Sequence, residues 1–170
     1  QDDTSAQELF VAPADGSSAA VKVSGTMIPS GGLASGEGAF AWSPDGTSIA
    51  YRADQETDGL IELYVSSSDG TSNEKVSGPV SGALSTFEWA PNGSRIAYLA
   101  TQQTPGRVDL YTVLPDGTDN ARVSADLTPG GNVELFAWSP ASDRLAYRAD
   151  QELDTRPSLH TVSATGGTAT

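Results

Sequence analysis

The chain has 170 residues, enough for one domain with a core of its own. It contains no cysteine, which excludes a disulfide frame and thiolate metal sites. Twenty-two acidic residues against nine basic ones give a formal charge of −13, which repels the phosphate backbone a nucleic-acid binder must neutralise and makes anionic membrane surfaces poor partners.

No run approaches the roughly 20 apolar residues a membrane helix needs, so membrane insertion is not expected. No basic-then-apolar leader is visible, and Gln1 is not a methionine; a processed secreted chain and a piece of a longer protein both fit. Read from its start, the chain opens on "ELFVAPADG" at Glu8 and "VKVSG" at Val21. Each is a short strand phrase, the first closed by Asp-Gly. From Phe40 a longer phrase follows, "FAWSPDGTSIAYRAD". In Phe40-Ala41-Trp42 and again in Ile49-Ala50-Tyr51, large residues alternate with alanine, the period-2 signature of a strand. Pro44-Asp45-Gly46 between them is turn chemistry: proline presets φ and the residues after it tolerate positive φ. Leu63-Tyr64-Val65 predicts a third strand, ended by Asp69-Gly70, and Lys75-Val76-Ser77 a fourth.

The same four phrases then recur. "FEWAPNGSRIAYLAT" begins at Phe87 and "FAWSPASDRLAYRAD" at Phe136, so Trp42, Trp89 and Trp138 are 47 and 49 residues apart. "DLYTVLPDG" at Asp109 and "SLHTVSATGG" at Ser158 repeat the third strand, and "ARVSA" at Ala121 repeats the fourth. Helix has almost no place in this pattern. Large residues take one face of each predicted sheet, with Ala50, Ala97 and Ala146 on the other, so a bulky face can meet a neighbour's shallow one. A single such sheet cannot bury itself. Side-by-side stacking of four-stranded units of about 40–50 residues makes a β-propeller.

The phrases Phe-x-Trp-Ser-Pro-Asp-Gly, Ile-Ala-Tyr, Leu-Tyr and Asp-Gly resemble the WD40-like repeats of TolB-type propellers. That resemblance runs from Glu8 onward and implies an all-β fold of four-stranded antiparallel blades. Three to four blades' worth of strands are expected within a single domain, 1–170: a partial blade at 8–25, blades at 40–78 and 87–125, and a partial blade at 136–170. Such blades occur in periplasmic accessory proteins, secreted surface proteins and the propeller domains of serine peptidases, so the resemblance specifies fold more than function. It implies a non-catalytic, extracytoplasmic module that serves as a protein-binding or assembly platform. Alternatives are the propeller part of a serine peptidase or other hydrolase whose catalytic domain lies elsewhere, and a structural subunit of a ring or fibre. Propellers close with 4–8 blades, and open sheet edges invite pairing. Either a fragment of a longer propeller or an assembly between chains is therefore expected; in the assembly the N-terminal outer strands of one copy complete the unfinished C-terminal blade of the next, as a ring or an open fibre.

One loop carries metal-like spacing. Asp54, Glu56, Asp58, Gly59 and Glu62 spell Asp-x-Glu-x-Asp-Gly-x-x-Glu, and such a loop can wrap carboxylate oxygens around Ca²⁺ with glycine at the sharp turn. The pattern resembles the calcium loops of integrin-type propellers and the start of an EF-hand loop, although glutamate at position three is less usual. The copy 96 residues on keeps Asp150, Glu152 and Asp154 but has Thr155 and Ser158 for Gly59 and Glu62; the middle copy, with Thr101, Gln103 and Pro105, has lost the first three ligands. The competing expectation is a polar hairpin tip, with Glu62 facing water and Arg52 shielding the charge.

No other motif points to chemistry. His160, the only histidine, replaces the tyrosine of the third-strand phrase and is expected to be structural, with no nucleophile beside it. No Gly-x-Ser-x-Gly elbow and no phosphate-cradling Gly-x-x-x-x-Gly-Lys occurs. The three tryptophans are expected in the core. Glu88 occupies the alanine position of its strand, either facing a central channel or meeting Arg95. Asn92-Gly93 fits a glycosylation sequon but reads first as a hairpin turn.

Overall fold

In the computed structural model, which describes residues 6–82, 84–151 and 156–167, all regular structure is β. Strands β1 (Phe10–Val11) and β2 (Val21–Lys22) pair alone. The first full sheet is β3 (Phe40–Trp42), β4 (Ser48–Ala53), β5 (Glu62–Ser67) and β6 (Asn73–Lys75), hydrogen-bonded in that order. The second is β7 (Leu84–Trp89), β8 (Ile96–Ala100), β9 (Asp109–Val113) and β10 (Ala121–Arg122). A three-stranded sheet, β11 (Val133–Trp138), β12 (Arg144–Ala149) and β13 (Ser158–Ser163), follows. Every neighbouring pair is antiparallel. No described helix is long and apolar enough to cross a membrane.

The alternating pattern has its expected consequence. Tyr51 lies opposite Tyr64 and Tyr98 opposite Tyr111, each pair stacked with ring centroids 5.5 Å apart. This bulky face of each sheet meets the shallow face of the sheet before it. Ala50, Leu63 and Val65 share a core cluster with Ile96, Tyr98, Tyr111 and Val113. Ala97, Leu99 and Leu110 pack in the same way against Leu145, Tyr147 and Val162, and Leu9 and Val23 cover Ile49, Tyr51 and Tyr64. Alanine is required where a tyrosine of the next sheet must approach the backbone; Ala50 and Ala97 are fully buried.

Several details depart from the sequence reading. The fourth strand sits two residues earlier than expected: β6 stops at Lys75, and Val76 and Ser77 both donate their amides to the Leu63 carbonyl. The Ser77 hydroxyl accepts from the Leu63 amide (3.1 Å), as Ser24 does from Leu9 (3.0 Å) and Ser124 from Leu110 (3.2 Å), which explains the recurring Val-Ser. The innermost strands of the later sheets begin early, at Leu84 and Val133, with a register shift just inside each. In the first full sheet the corresponding bridge, Leu33 to Ala53, is cut off from β3 by the inserted segment 34–39.

Trp42 corrects the expectation of buried tryptophans, being 48% exposed. Trp89 and Trp138 are packed against core clusters because each reaches back to the sheet before it. Trp89 Nε1 donates to the Ala41 carbonyl and Trp138 Nε1 to the Glu88 carbonyl, both at 3.2 Å. Among the described residues no innermost strand precedes Trp42.

Candidate functional site

The acidic loop connects β4 to β5, and its carboxylates are drawn apart by separate partners. Asp54 uses Oδ1 to accept from the Gly32 amide (2.7 Å) and Oδ2 to accept from the Gly59 amide (3.0 Å), tying the loop to the segment that precedes the sheet. Glu56 pairs with Lys75 Nζ at 2.6 Å, and the same ammonium lies 3.2 Å from Glu62. Glu62 does not face water: it is buried and accepts from the Tyr64 hydroxyl at 3.0 Å. Asp58 is exposed at the tip. Arg52 does not shield this loop either; its guanidinium turns to the Gly38 carbonyl (3.2 Å) and the Ser85 carbonyl. Among the described residues no three Asp, Glu or His side chains converge as a metal shell would require. Lys75 takes the space between two of the four carboxylates, Glu56 and Glu62, that a divalent cation would need. In the later copy, Glu152, Asp154 and Thr155 lie outside the described residues, and Asp150 keeps a buried Oδ1 without a partner.

What the loop does show is an ion pair that recurs between third and fourth strands. Glu8 pairs with Lys22, Glu62 with Lys75, and Asp109 with Arg122 (3.7 Å) and Arg107 (2.9 Å). A spacing of 13–14 residues between acid and base was visible in all three phrases.

A second recurring constellation was missed altogether. The Tyr51 hydroxyl donates to Gln55 Oε1 (2.7 Å) and accepts from the Gly25 amide (3.0 Å) and Asn73 Nδ2 (2.6 Å). Tyr98 accepts from Gly78, Gln102 and Asn120, and Tyr147 from Ala125 and Gln151. Asn73 and Asn120 also reach carbonyls of the preceding sheet, at Val23 and Val76. Each tyrosine is thus a polar rivet between neighbouring sheets. The signal was a glutamine four residues after every one of these tyrosines.

The remaining candidates lie apart from this loop. His160 packs on Tyr147 with centroids 5.5 Å apart, and, against the expectation of no nucleophile nearby, Ser158 Oγ lies 2.8 Å from its Nε2. This pair occupies the place of Glu62 and Tyr64, and among the described residues no carboxylate is seen bonded to the other ring nitrogen to orient it. Glu88 does not meet Arg95, which bonds Asp119 at 2.7 Å; the Glu88 side chain is exposed. Asn92-Gly93 forms the expected turn, with Gly93 at φ 74°. A shallow cleft of about 420 Å³ lies beside Asp54, lined by Gln7, Ser30, Gly32, Ser35 and Ile61.

Stacked antiparallel sheets of up to four strands, each setting its bulky face on the shallow face of the sheet before it, define a β-propeller. No protein-family model matches the chain, and no curated protein matches its sequence. Solved structures do match. A putative TolB from Agrobacterium tumefaciens superposes with a TM-score of 0.56 at 18% identity, over 76% of this chain and 46% of that one. A puromycin hydrolase gives 0.60 at 20% identity over 96% of this chain and 27% of its own. The AtxE2 isopeptidase gives 0.57 at 17% identity, over 81% and 29%. The fold is that of TolB-like propellers, and the chain spans less than half the length of each of these structures.

Proposed function

We propose that this chain is a propeller module whose end faces bind other protein surfaces, an assembly platform that carries no chemistry of its own. The observation that supports it is the state of the last shallow face. Leu63 and Leu110 are fully buried under the following sheet, whereas Leu159, at the same position in β13, is 73% exposed beside the partly uncovered Ala146. Apolar surface of this kind marks a contact region. The extracytoplasmic location belongs to the same reading, and the resemblance to TolB-type repeats is what supports it. Light scattering over a range of concentrations tests it: mass should rise above 17.5 kDa, and Leu159→Asp should return it to the monomer. A wild-type chain that stays monomeric throughout counts against association through this face.

A second reading is favoured by the likeness to an isopeptidase and a puromycin hydrolase: this chain is the propeller part of a hydrolase. A native product several times heavier than 17.5 kDa that carries an α/β-hydrolase segment would establish it.

A further inference from the structure

The second-strand phrase reads Ile-Ala-Tyr-Arg in the first full sheet, Ile-Ala-Tyr-Leu in the second and Leu-Ala-Tyr-Arg in the third, so Arg52, Leu99 and Arg148 hold one position. In the third sheet that arginine has its counter-charge: Glu134 Oε2 lies 3.2 Å from Arg148 Nε. Glu134 is the single residue between Val133 and Leu135, at the register shift of the innermost strand. In the first full sheet residues 34–38 stand in its place, between the Leu33 to Ala53 bridge and the Ala39 carbonyl, which accepts from the Arg52 amide. Among the described residues no carboxylate pairs with the Arg52 guanidinium. Two described arginines are buried, Arg52 at 8% exposure and Arg95 at 7%, and Arg95 holds Asp119 at 2.7 Å. Arg52 has only main-chain carbonyls: Nε donates to Gly38 (3.2 Å) and Nη1 to Ser85. Nη2 has no acceptor among the described residues, yet it is not shut off from solvent as Arg95 Nε is. A buried charge without an opposite charge is costly, and two carbonyl dipoles offset it only in part. Burial accordingly pulls the Arg52 guanidinium below the usual arginine range, whereas its hydrogen bond with Asp126 raises Arg122.

We propose that Arg52, at the seam between the first and second full sheets, is the base of an anion site that takes a carboxylate from a ligand, the group that Glu134 supplies to Arg148 from within. This site stands whether or not the end faces bind other proteins. The segment beside it suits the task. Gly36 and Gly38 have positive φ (93° and 71°), and a Cβ at either would meet nothing within 4 Å, so the segment crosses open space instead of packing down. The amides of Gly36, Glu37 and Gly38 donate to no acceptor among the described residues, and successive amides in turn conformations can face an anion. The planar guanidinium with its unused Nη2 offers a carboxylate a charge-assisted bond. Glu37 is exposed and does not fold back on Arg52. At a formal charge of −13 the field of the whole chain disfavours diffuse anion binding, so a located contact is needed to hold one, and a more highly charged phosphate meets the greater repulsion.

The first probe is sodium acetate, titrated against sodium chloride at matched ionic strength. The readout is the NMR signal of the Arg52 Nε–H and of the Gly36 and Gly38 amides. Arg52→Leu assigns the side-chain signal, and leucine is the residue the second sheet already carries at this position, Leu99. Acetate should move these signals saturably, with a midpoint on the order of millimolar or weaker, and chloride should not. Arg52→Leu should weaken the response of the two glycine amides at least about tenfold. In a second variant one glutamate replaces residues 34–38, since both later sheets use a single residue at this place. That built-in carboxylate should abolish the acetate response at the Arg52 Nε–H and raise the thermal midpoint. The second probe is a tripeptide with blocked ends and one glutamate side chain. Tighter binding than acetate identifies a polypeptide side chain as the source, weaker or equal binding identifies a free acid, and both uphold the site. No saturable shift with either probe overturns it, as does an equal shift with chloride or a glycine-amide response that Arg52→Leu leaves unchanged. A protein that responds only after Glu37→Gln also overturns it, because the loop then supplies the counter-charge itself.

Discussion

Tyr98 and Tyr111 stack ring on ring, yet their hydroxyls live in different chemistry. Tyr98 accepts from Gly78, Gln102 and Asn120, whereas the buried Tyr111 hydroxyl has only the Gln103 backbone nearby, with no well-formed hydrogen bond. The cause lies two residues earlier. In the first full sheet Glu62 is long enough to take the equivalent Tyr64 hydroxyl; Asp109 is one methylene shorter and is held instead by Arg107 and Ser124. Burial, together with the nearby Asp109 charge, pushes the Tyr111 phenol up to about 12. Tyr98→Phe should therefore cost about 1–3 kcal/mol, since it strands buried donors, while Tyr111→Phe should be neutral or slightly stabilising; urea denaturation of the two variants measures the contrast. Ser142 gives a second comparison at this scale. It takes the left-handed conformation (φ 63°) that Gly46 and Gly93 adopt at the same turn, and its hydroxyl accepts from the Asn92 amide in the neighbouring sheet's turn at 3.0 Å. Ser142→Gly relieves backbone strain and loses that bond, so the change should lie within about 1 kcal/mol of zero. Ser142→Ala keeps the strain and loses the bond, and should be the less stable of the two by thermal denaturation. The glycine missing from this turn was plain in the sequence. The reason serine stands there was not, because it depends on a contact 50 residues away.

At the scale of strands and turns, the phrases that define the repeat divide into those that pack and those that tie. Phe-x-Trp and Ile-Ala-Tyr were legible because period-2 alternation is local. The acidic loop is ambiguous in sequence because the same carboxylate spacing serves Ca²⁺ or a lysine equally well, and Lys75 reaches it from a strand beyond the motif. Lys75→Met should cost roughly 1–3 kcal/mol in chemical denaturation, since it leaves Glu62 buried without its cation; the figure is held below that of a fully buried pair because Lys75 is partly solvated. Calorimetric titration of the wild type with Ca²⁺ should give no binding heat, and a heat abolished by Asp58→Ala would restore the metal reading. The Asp-Gly turns have a simpler role. Hydrogen bonds from Ser67 and Thr71 hold the Asp69 carboxyl down to about 2, and Ser43 with Thr47 lowers Asp45 in the same way. A carboxyl depressed on folding stabilises above its unfolded range and loses that contribution as pH falls through its folded value. The stability difference between wild type and Asp69→Ala should therefore be fully present above about pH 4 and close towards pH 2.

Over the whole molecule, stability depends on sheets that alternate a bulky and a shallow face, and this was readable from alanine positions alone. What the sequence did not disclose is which faces are left bare, since Phe40 and Phe87 sit in near-identical phrases and differ only in what lies against them. That difference makes the stacking order testable within one chain. Ala97 is fully buried where the third sheet presses on the second, and Ala146, its counterpart in β12, is partly open because no described sheet follows. A larger side chain at Ala97 must push Leu145, Tyr147 and Val162 away from their seats, and overpacking of this kind costs about 1–3 kcal/mol or more. The same side chain at Ala146 projects into open space. Ala97→Leu should thus lower the thermal midpoint clearly, whereas Ala146→Leu should leave it nearly unchanged and instead increase any association through the face that carries Leu159. Equal destabilisation by the two substitutions would mean that the shallow face of the last sheet is covered in solution, and the stacking would then continue beyond β13.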